Sequence, residues 1–302
     1  MSWLKSWELM MGKTLDDILA IARSLGWGAS KILRSYYRGE LDRDGMAQPL
    51  NIQDKKEGPV TAADLAVNRY VLGKLEAIFG DSFGYLSEET YKASADALPQ
   101  EWVWILDPLD GTRDFIDKTG EYAFHLALVH QGRPVLTVVA CPELETLYYA
   151  TLGGGAFVES SDGSSQRLQV SDRHQLEELT VVVSRTHRDD RFNRLLQQLP
   201  CQNQLFVGSV GGKIAAIVNQ RADVYLSLSG KSAPKDWDMA APELILTEAG
   251  GSFTHADGSL LRYNTGDVSQ WGCLIASNSH RHDELCAEVT RILASVATTG
   301  LV

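Results

Sequence analysis

Apolar and polar positions alternate in two different ways along this chain. Near its start they recur at the three-to-four spacing of a helix with one buried face. Residues 14–37 carry Leu15, Ile18, Leu19, Ile21, Ala22 and Leu25 on such a stripe, with Thr14 placed as N-cap and Asp16 and Asp17 in the first turn. Residues 37–58 are polar, hold Gly39, Gly45, Pro49 and Gly58, and read as a loop or irregular hairpin. Residues 61–79 return to helical spacing through Leu65, Val67, Val71, Leu72, Leu75 and Ile78; Thr61 caps this helix, Asp64 lies in its first turn and Gly80 ends it. From Phe83 the apolar runs shorten and turn residues separate them, as in strands. Residues 102–106 predict a buried strand, residues 124–129, 135–141 and 147–150 a meander, and Gly153-Gly154-Gly155-Ala156-Phe157 a turn into another strand.

The second half alternates strand with helix. Strands are predicted over residues 179–184, 204–207, 224–228 and 274–277, and helices over 189–199, 209–219, 238–249 and 282–296. That order argues for an α/β class with layered helices and sheets. A boundary near Val170, after the polar segment 159–166, predicts an N-terminal α+β domain over residues 1–170 and a C-terminal α/β domain over 171–302. No internal repeat or low-complexity segment interrupts either half.

Composition narrows the partners. The 302 residues are 44% hydrophobic and 22% charged, ordinary for a globular chain that buries a core. A formal charge of −11 argues against a nucleic-acid polymer, whose binding draws on Lys and Arg neutralising phosphates. A small phosphorylated substrate held by metal ions stays compatible with it. Cys141, Cys201, Cys273 and Cys286 are far apart and form no C-x-x-C pair, which predicts buried, reduced thiols and a cytoplasmic location rather than a zinc site or disulfide framework. Residues 1–11 are broken by Lys5 and Glu8 and make a poor signal peptide, and no stretch reads as a membrane span.

The stretch richest in chemistry is Asp107-Pro108-Leu109-Asp110-Gly111-Thr112, at the end of the predicted buried strand. Two carboxylates three apart, a proline and a glycine predict a turn that aims Asp107, Asp110 and the Leu109 carbonyl at one point, a donor set for a hard cation. Taken alone, the same residues suit an ordinary Asx-turn. Glu88 and Glu89 form an adjacent acidic pair before that strand, whose repulsion a cation would relieve. Asp64 heads a helix, where dipole stabilisation alone would account for it. Asp238, in Asp236-Trp237-Asp238, is a candidate N-cap or a ligand beside a helix N-terminus that attracts phosphate.

Four segments in order resemble the inositol monophosphatase superfamily. They are Val60 to Asp64 (V-T-x-x-D), Glu88-Glu89, Trp104 to Thr112 (W-x-x-D-P-[IL]-D-G-T), and Trp237-Asp238-Met239-Ala240-Ala241 running to Glu248-Ala249-Gly250-Gly251. The resemblance implies an α-β-α-β-α layered sandwich, two or three magnesium ions and hydrolysis of small phosphate monoesters. It implies that Glu88, Asp107 and the Leu109 carbonyl hold one ion, that Asp107, Asp110 and Asp238 hold a second, and that Asp64 with Glu88 helps hold a third ion or a water. Thr112 and Asp64 would orient and deprotonate the attacking water, and Gly111 and Thr112 would offer backbone donors to the phosphate.

The flanking residues resemble one branch of the superfamily. Asp110-Gly111-Thr112 continues Arg113-Asp114-Phe115, as in 3′(2′),5′-bisphosphate nucleotidases, including the CysQ type, which remove the 3′-phosphate of 3′-phosphoadenosine 5′-phosphate (PAP). Ser184-Arg185-Thr186-His187, Gly208-Ser209-Val210-Gly211-Gly212-Lys213 and Lys235-Asp236-Trp237-Asp238 are similar to nucleotidase segments and imply that His187, Ser209, Lys213 and Asp238 meet the substrate. One strand departs from the yeast and plant pattern Y-L-R-L: Tyr225-Leu226-Ser227-Leu228 has Ser227 in place of arginine, which leaves Lys213, Lys231 or Lys235 for the 5′-phosphate. The expected activity is therefore PAP phosphatase, with lithium sensitivity by analogy. Inositol monophosphatase or fructose-1,6-bisphosphatase is the enzymatic alternative, and a non-catalytic nucleotide-binding regulator the alternative of another class. The family leaves monomer and homodimer both open.

Overall fold

A computed structural model of the chain describes residues 12–40, 49–55, 58–93, 96–185, 188–201 and 203–299. The first two predicted helices begin where their caps place them. Helix α1 (Leu15–Arg38) starts from Thr14, whose hydroxyl accepts the Asp17 N–H while the Asp17 carboxylate accepts the Thr14 N–H, and it ends on Gly39 in the left-handed conformation. Helix α2 (Ala62–Phe79) starts from Thr61 with Asp64 in the reciprocal place. Within the polar stretch between them, β1 (Gln53–Lys55) and β2 (Gly58–Val60) pair as a short antiparallel hairpin.

Seven strands form the larger sheet in chain order: β3 (Gly84–Ser87), β4 (Trp102–Asp110), β5 (Ala123–His130), β6 (Arg133–Cys141), β7 (Thr146–Thr151), β8 (Gly155–Ser160) and β9 (Ser165–Arg167). Only β3 and β4 run parallel; the others form the predicted antiparallel meander. The smaller sheet has the order β11-β10-β12-β14-β13, from β10 (Thr180–Val183), β11 (Asn203–Phe206), β12 (Val224–Leu228), β13 (Ser252–His255) and β14 (Cys273–Ser277). Its first three strands are parallel, while β14 and β13 are antiparallel additions.

Side-chain alternation sorts the core into three bodies and hence five layers. Trp102, Trp104 and Leu106 face α1 and α2 together with Leu126, Leu128 and Leu136. Val103 and Ile105, on the other face, pack with two central helices, α5 (Val210–Val218) and α6 (Asp236–Glu248). Those helices cover the inner face of the smaller sheet at Val182, Tyr225, Phe253 and Leu274. Its outer face, with Val181, Val183, Leu226 and Ile275, is covered by α4 (Asp190–Gln198) and α7 (His282–Thr299). The architecture is thus α-β-α-β-α, the α/β sandwich expected.

Two local expectations need correction. The predicted turn over 107–110 is strand: β4 continues through Asp110 with a bulge between Asp107 and Asp110. A short helix, α3 (Thr112–Ile116), follows Gly111. Helix α6 begins at Asp236, with Lys235 as its N-cap, so Asp238 lies in the first turn rather than at the cap. The four cysteines are buried free thiols. Among the described residues, no helix is long and apolar enough to cross a membrane.

Candidate active site

The bulge in β4 builds the centre of the site. Residues three apart on a regular strand point to opposite faces. Here Asp107 pairs with His125 and Asp110 with Ala123, two positions on one face of β5, so the extra residue turns both carboxylates toward the central helices. Leu109 faces the other way, into the core beneath α2. Gly111 then adopts φ +85°, where a side chain would also crowd the Glu121 carbonyl at 3.1 Å and Ser209 Cβ at 3.2 Å.

Other elements bring further acids to the same place. Asp64, at 1% exposure, accepts the Thr61 N–H at 2.8 Å and the Thr61 hydroxyl at 2.6 Å. The Thr112 hydroxyl lies 3.4 Å from Asp64 and 3.1 Å from the Leu109 carbonyl. Glu88 follows β3, and its carboxyl lies beside that of Asp107. Asp238 accepts the Lys235 N–H at 2.6 Å from the first turn of α6. Asp110 accepts the Gly211 N–H from the first turn of α5 at 2.8 Å.

These acids burden one another electrostatically. Burial, then Asp238, Glu89 and Asp64, push Glu88 up to about 8. Burial, then Glu88, Asp110 and Asp238, hold Asp107 well above the carboxylate range. Burial raises Asp64 to about 6, and burial with the Asp110 charge raises Asp238 to about 6. Asp110 is the exception: burial pushes it up, but His125, Lys213 and the Gly211 N–H outweigh that and hold it below its ordinary value.

This donor set fits hard divalent cations. All donors are oxygen, the acids are largely withdrawn from water, and their mutual repulsion is what bound positive charge would relieve. Among the described residues no three of these groups yet converge as ligands. Asp64, Asp107, Asp110 and Asp238 each accept a backbone N–H.

The second predicted group gathers at the start of α5. Ser209 caps it, accepting the Gly212 N–H at 3.0 Å. Lys213 is buried at 2% exposure, and its ammonium donates to the Gly208 carbonyl at 2.5 Å. Burial draws its pKa down to about 8, against the opposing pull of Asp110, Asp114, Glu121 and Asp238. A buried cation on a helix's first turn, where the macrodipole disfavours it, is held by these acids. His187 lies outside the described residues. Lys231 is exposed, while Lys235 donates to the Ser269 hydroxyl at 3.1 Å.

His125 was not singled out by the sequence. It is fully buried, with Nδ1 3.3 Å from the Trp237 carbonyl and Nε2 3.2 Å from Asp110, a contact too bent for a good hydrogen bond. A lone histidine inside the apolar run Phe124 to Val129 was the available signal. Gly211 packs against it: a β-carbon there would run into His125 and approach Ala123 Cβ at 2.8 Å and Val139 Cγ1 at 2.9 Å. Gly211→Ala is expected to cost about 1–3 kcal/mol, read as a lowered Tm, because none of these buried neighbours can yield. An unchanged Tm would show that the helix–sheet contact is looser than described.

The sequence matches the model of the inositol monophosphatase family over residues 14–294. It is 34% identical over 252 residues to the 3′(2′),5′-bisphosphate nucleotidase CysQ of Salmonella typhimurium, covering 82% of this chain and 93% of that one. It is 30% identical over 253 residues to the protein of the same name from Aggregatibacter actinomycetemcomitans, covering 83% and 87%. In fold it is similar to an IMPase of Thermotoga maritima, with TM-score 0.75 and 25% identity over 93% of this chain and 99% of that one. It is equally similar to the extragenic suppressor protein SuhB of Bartonella henselae, with TM-score 0.74 and 25% identity over 91% and 98%.

Proposed function

The chain belongs to the inositol monophosphatase family, and from that premise we propose that it is a magnesium-dependent 3′(2′),5′-bisphosphate nucleotidase converting PAP to AMP and phosphate. The observation that carries the reading is the juxtaposition of the Asp107–Asp110 bulge with the start of α5 through the Gly211–Asp110 hydrogen bond at 2.8 Å. An acidic centre thereby lies beside a helix start that holds a buried lysine.

In this reading Glu88, Asp107, the Leu109 carbonyl, Asp110, Asp238 and Asp64 hold two or three magnesium ions. When bound, the ions supply acidification of a water and neutralisation of phosphoryl charge. The chain's own groups do the rest. Asp64 accepts hydrogen bonds on one oxygen from Thr61, which leaves the other facing the Thr112 hydroxyl. That pair can orient a water and take its proton, Asp64 being raised to about 6 by burial. The N–H groups of Gly111 and Thr112, at the start of α3, face the phosphate, and Ser209 and Lys213 meet the rest of the substrate. Positioning and charge then carry the transfer.

The reading is tested by phosphate release in magnesium from PAP, myo-inositol 1-phosphate and fructose 1,6-bisphosphate at matched concentrations. The expected result is a kcat/KM for PAP at least about tenfold above the others, about 1.4 kcal/mol of selective stabilisation. Preference for the inositol or sugar phosphate would reassign the substrate while keeping the acidic centre. Binding of PAP without turnover would leave only the regulatory role.

A further inference from the structure

We infer that Glu121 is a positioning residue which fixes the loop opening α5 and so sets the preference for a substrate with a second phosphate. The inference rests on the nucleotidase reading above.

Glu121 stands just before β5 and grips two successive peptide groups of that loop. Its carboxylate accepts the Gly208 N–H at 2.8 Å, and its backbone carbonyl accepts the Ser209 N–H at 3.1 Å. The same carboxylate receives both terminal nitrogens of Arg185, one of them at 2.8 Å. Arg185 donates onward to the Phe206 carbonyl at 3.3 Å. One residue thus ties together the segments that follow β10 and β11 and the first residues of α5. These are the carboxyl ends of parallel strands, where α/β sheets place their ligands.

The Gly208 peptide is held on its other side too. Its carbonyl accepts the Lys213 ammonium at 2.5 Å, and the Asp114 carboxylate fills the space a β-carbon at Gly208 would need. The strap therefore fixes where Lys213 can place its charge. Glu121 is not one of the carboxylates gathered around the β4 bulge, and its side chain keeps 26% of its exposure. An exposed ion pair of this kind contributes little to stability. One backbone N–H and a bidentate arginine on the carboxylate, with a second N–H on the same residue's carbonyl, give it geometric control instead.

The test compares kcat/KM for PAP and for adenosine 3′-monophosphate, which differ only in the 5′-phosphate, using the full chain in magnesium. In Glu121→Ala the PAP preference is expected to fall about tenfold through the KM for PAP, while kcat on the monophosphate stays within about twofold. Glu121→Gln, which keeps an acceptor for Gly208, should recover part of the preference. Arg185→Lys, which breaks the bidentate pair alone, should lose part of it. If Glu121→Ala melts early, these two milder variants decide. An unchanged preference in the variants overturns the inference, as does an equal loss on both substrates or a wild type indifferent to the 5′-phosphate. A wild type that does not turn over PAP defeats the nucleotidase reading itself.

Discussion

Asp110→Asn is expected to lower kcat for PAP at least about 10³-fold while shifting Tm by only a few degrees. Asparagine keeps the shape of the side chain and an oxygen to accept the Gly211 N–H, so the joint between β4 and α5 survives. The substitution removes the carboxyl that His125, Lys213 and that N–H hold below its ordinary value, against the burial that raises its neighbours. Without magnesium its loss relieves repulsion on Asp107 and Asp238, which both count Asp110 among their raising neighbours. With magnesium it removes a charged ligand, and a thousandfold loss corresponds to about 4 kcal/mol of the transition-state stabilisation such a centre supplies. Phosphate release, a thermal melt and the Tm gained on adding magnesium are measured on the same preparation. Wild-type turnover, or an unchanged gain in Tm with magnesium, would remove Asp110 from the proposed cation-holding set.

Most of the frame was legible because its signals are local. Thr14 with Asp17 and Thr61 with Asp64 form capping boxes, a pairing readable from three-residue spacing. The meander follows from short apolar runs separated by turn residues, and the start of α5 from Ser209 before an apolar run. What escaped depends on partners distant in the chain. Pro108 and Gly111 favour a turn locally, yet β4 runs to Asp110 because Leu109 is buried at 1% exposure and β5 pairs with it on both sides of the bulge. No local rule extends a strand through two buried aspartates; Asp110 is satisfied by an N–H 101 residues away. The N-terminus of α6 was misplaced for a similar reason. Asp236 looks like loop, but it is fully buried, accepting the Asn264 N–H at 2.8 Å and the Gln270 amide at 2.7 Å. Strand β13 is four residues between Gly250-Gly251 and a turn, too short to show a period.

The candidate site was legible as a set of acids and illegible as an arrangement. Motif spacing named Asp64, Glu88, Asp107, Asp110 and Asp238. Only the bulge shows why Asp107 and Asp110 share a face, and only packing shows His125 and Glu121 beside them. Both missed residues support others rather than carry a motif, so spacing alone gave no reason to choose them.

The protein stripped of metal by chelator is expected to lose stability as pH rises from about 5.5 to 8, with Tm falling by about 5 °C or more, and magnesium is expected to abolish that slope. The direction follows from carboxyls whose folded values lie above their unfolded ones: Asp64 and Asp238 at about 6, Asp236 at about 7, Glu88 at about 8 and Asp107 well above its ordinary 3.8, burial being the first cause in each. Between the unfolded and folded values the native state holds protons that the unfolded chain has released. Stability is therefore fully present below the unfolded values and lost as pH climbs through the folded ones. His282, lowered by burial, opposes this below its ordinary 6.5, and Lys213, drawn down to about 8, opposes it on the alkaline side. The five carboxyls outweigh the one histidine inside the chosen window. Magnesium requires the deprotonated acids and binds only the folded arrangement, so its stabilisation grows as pH rises and offsets the loss. Melts in chelator and in saturating magnesium at three pH values separate the cases. A flat or rising Tm in chelator would contradict the raised values of these buried acids. A slope that persists unchanged in magnesium would mean that the acids titrate without holding the ion.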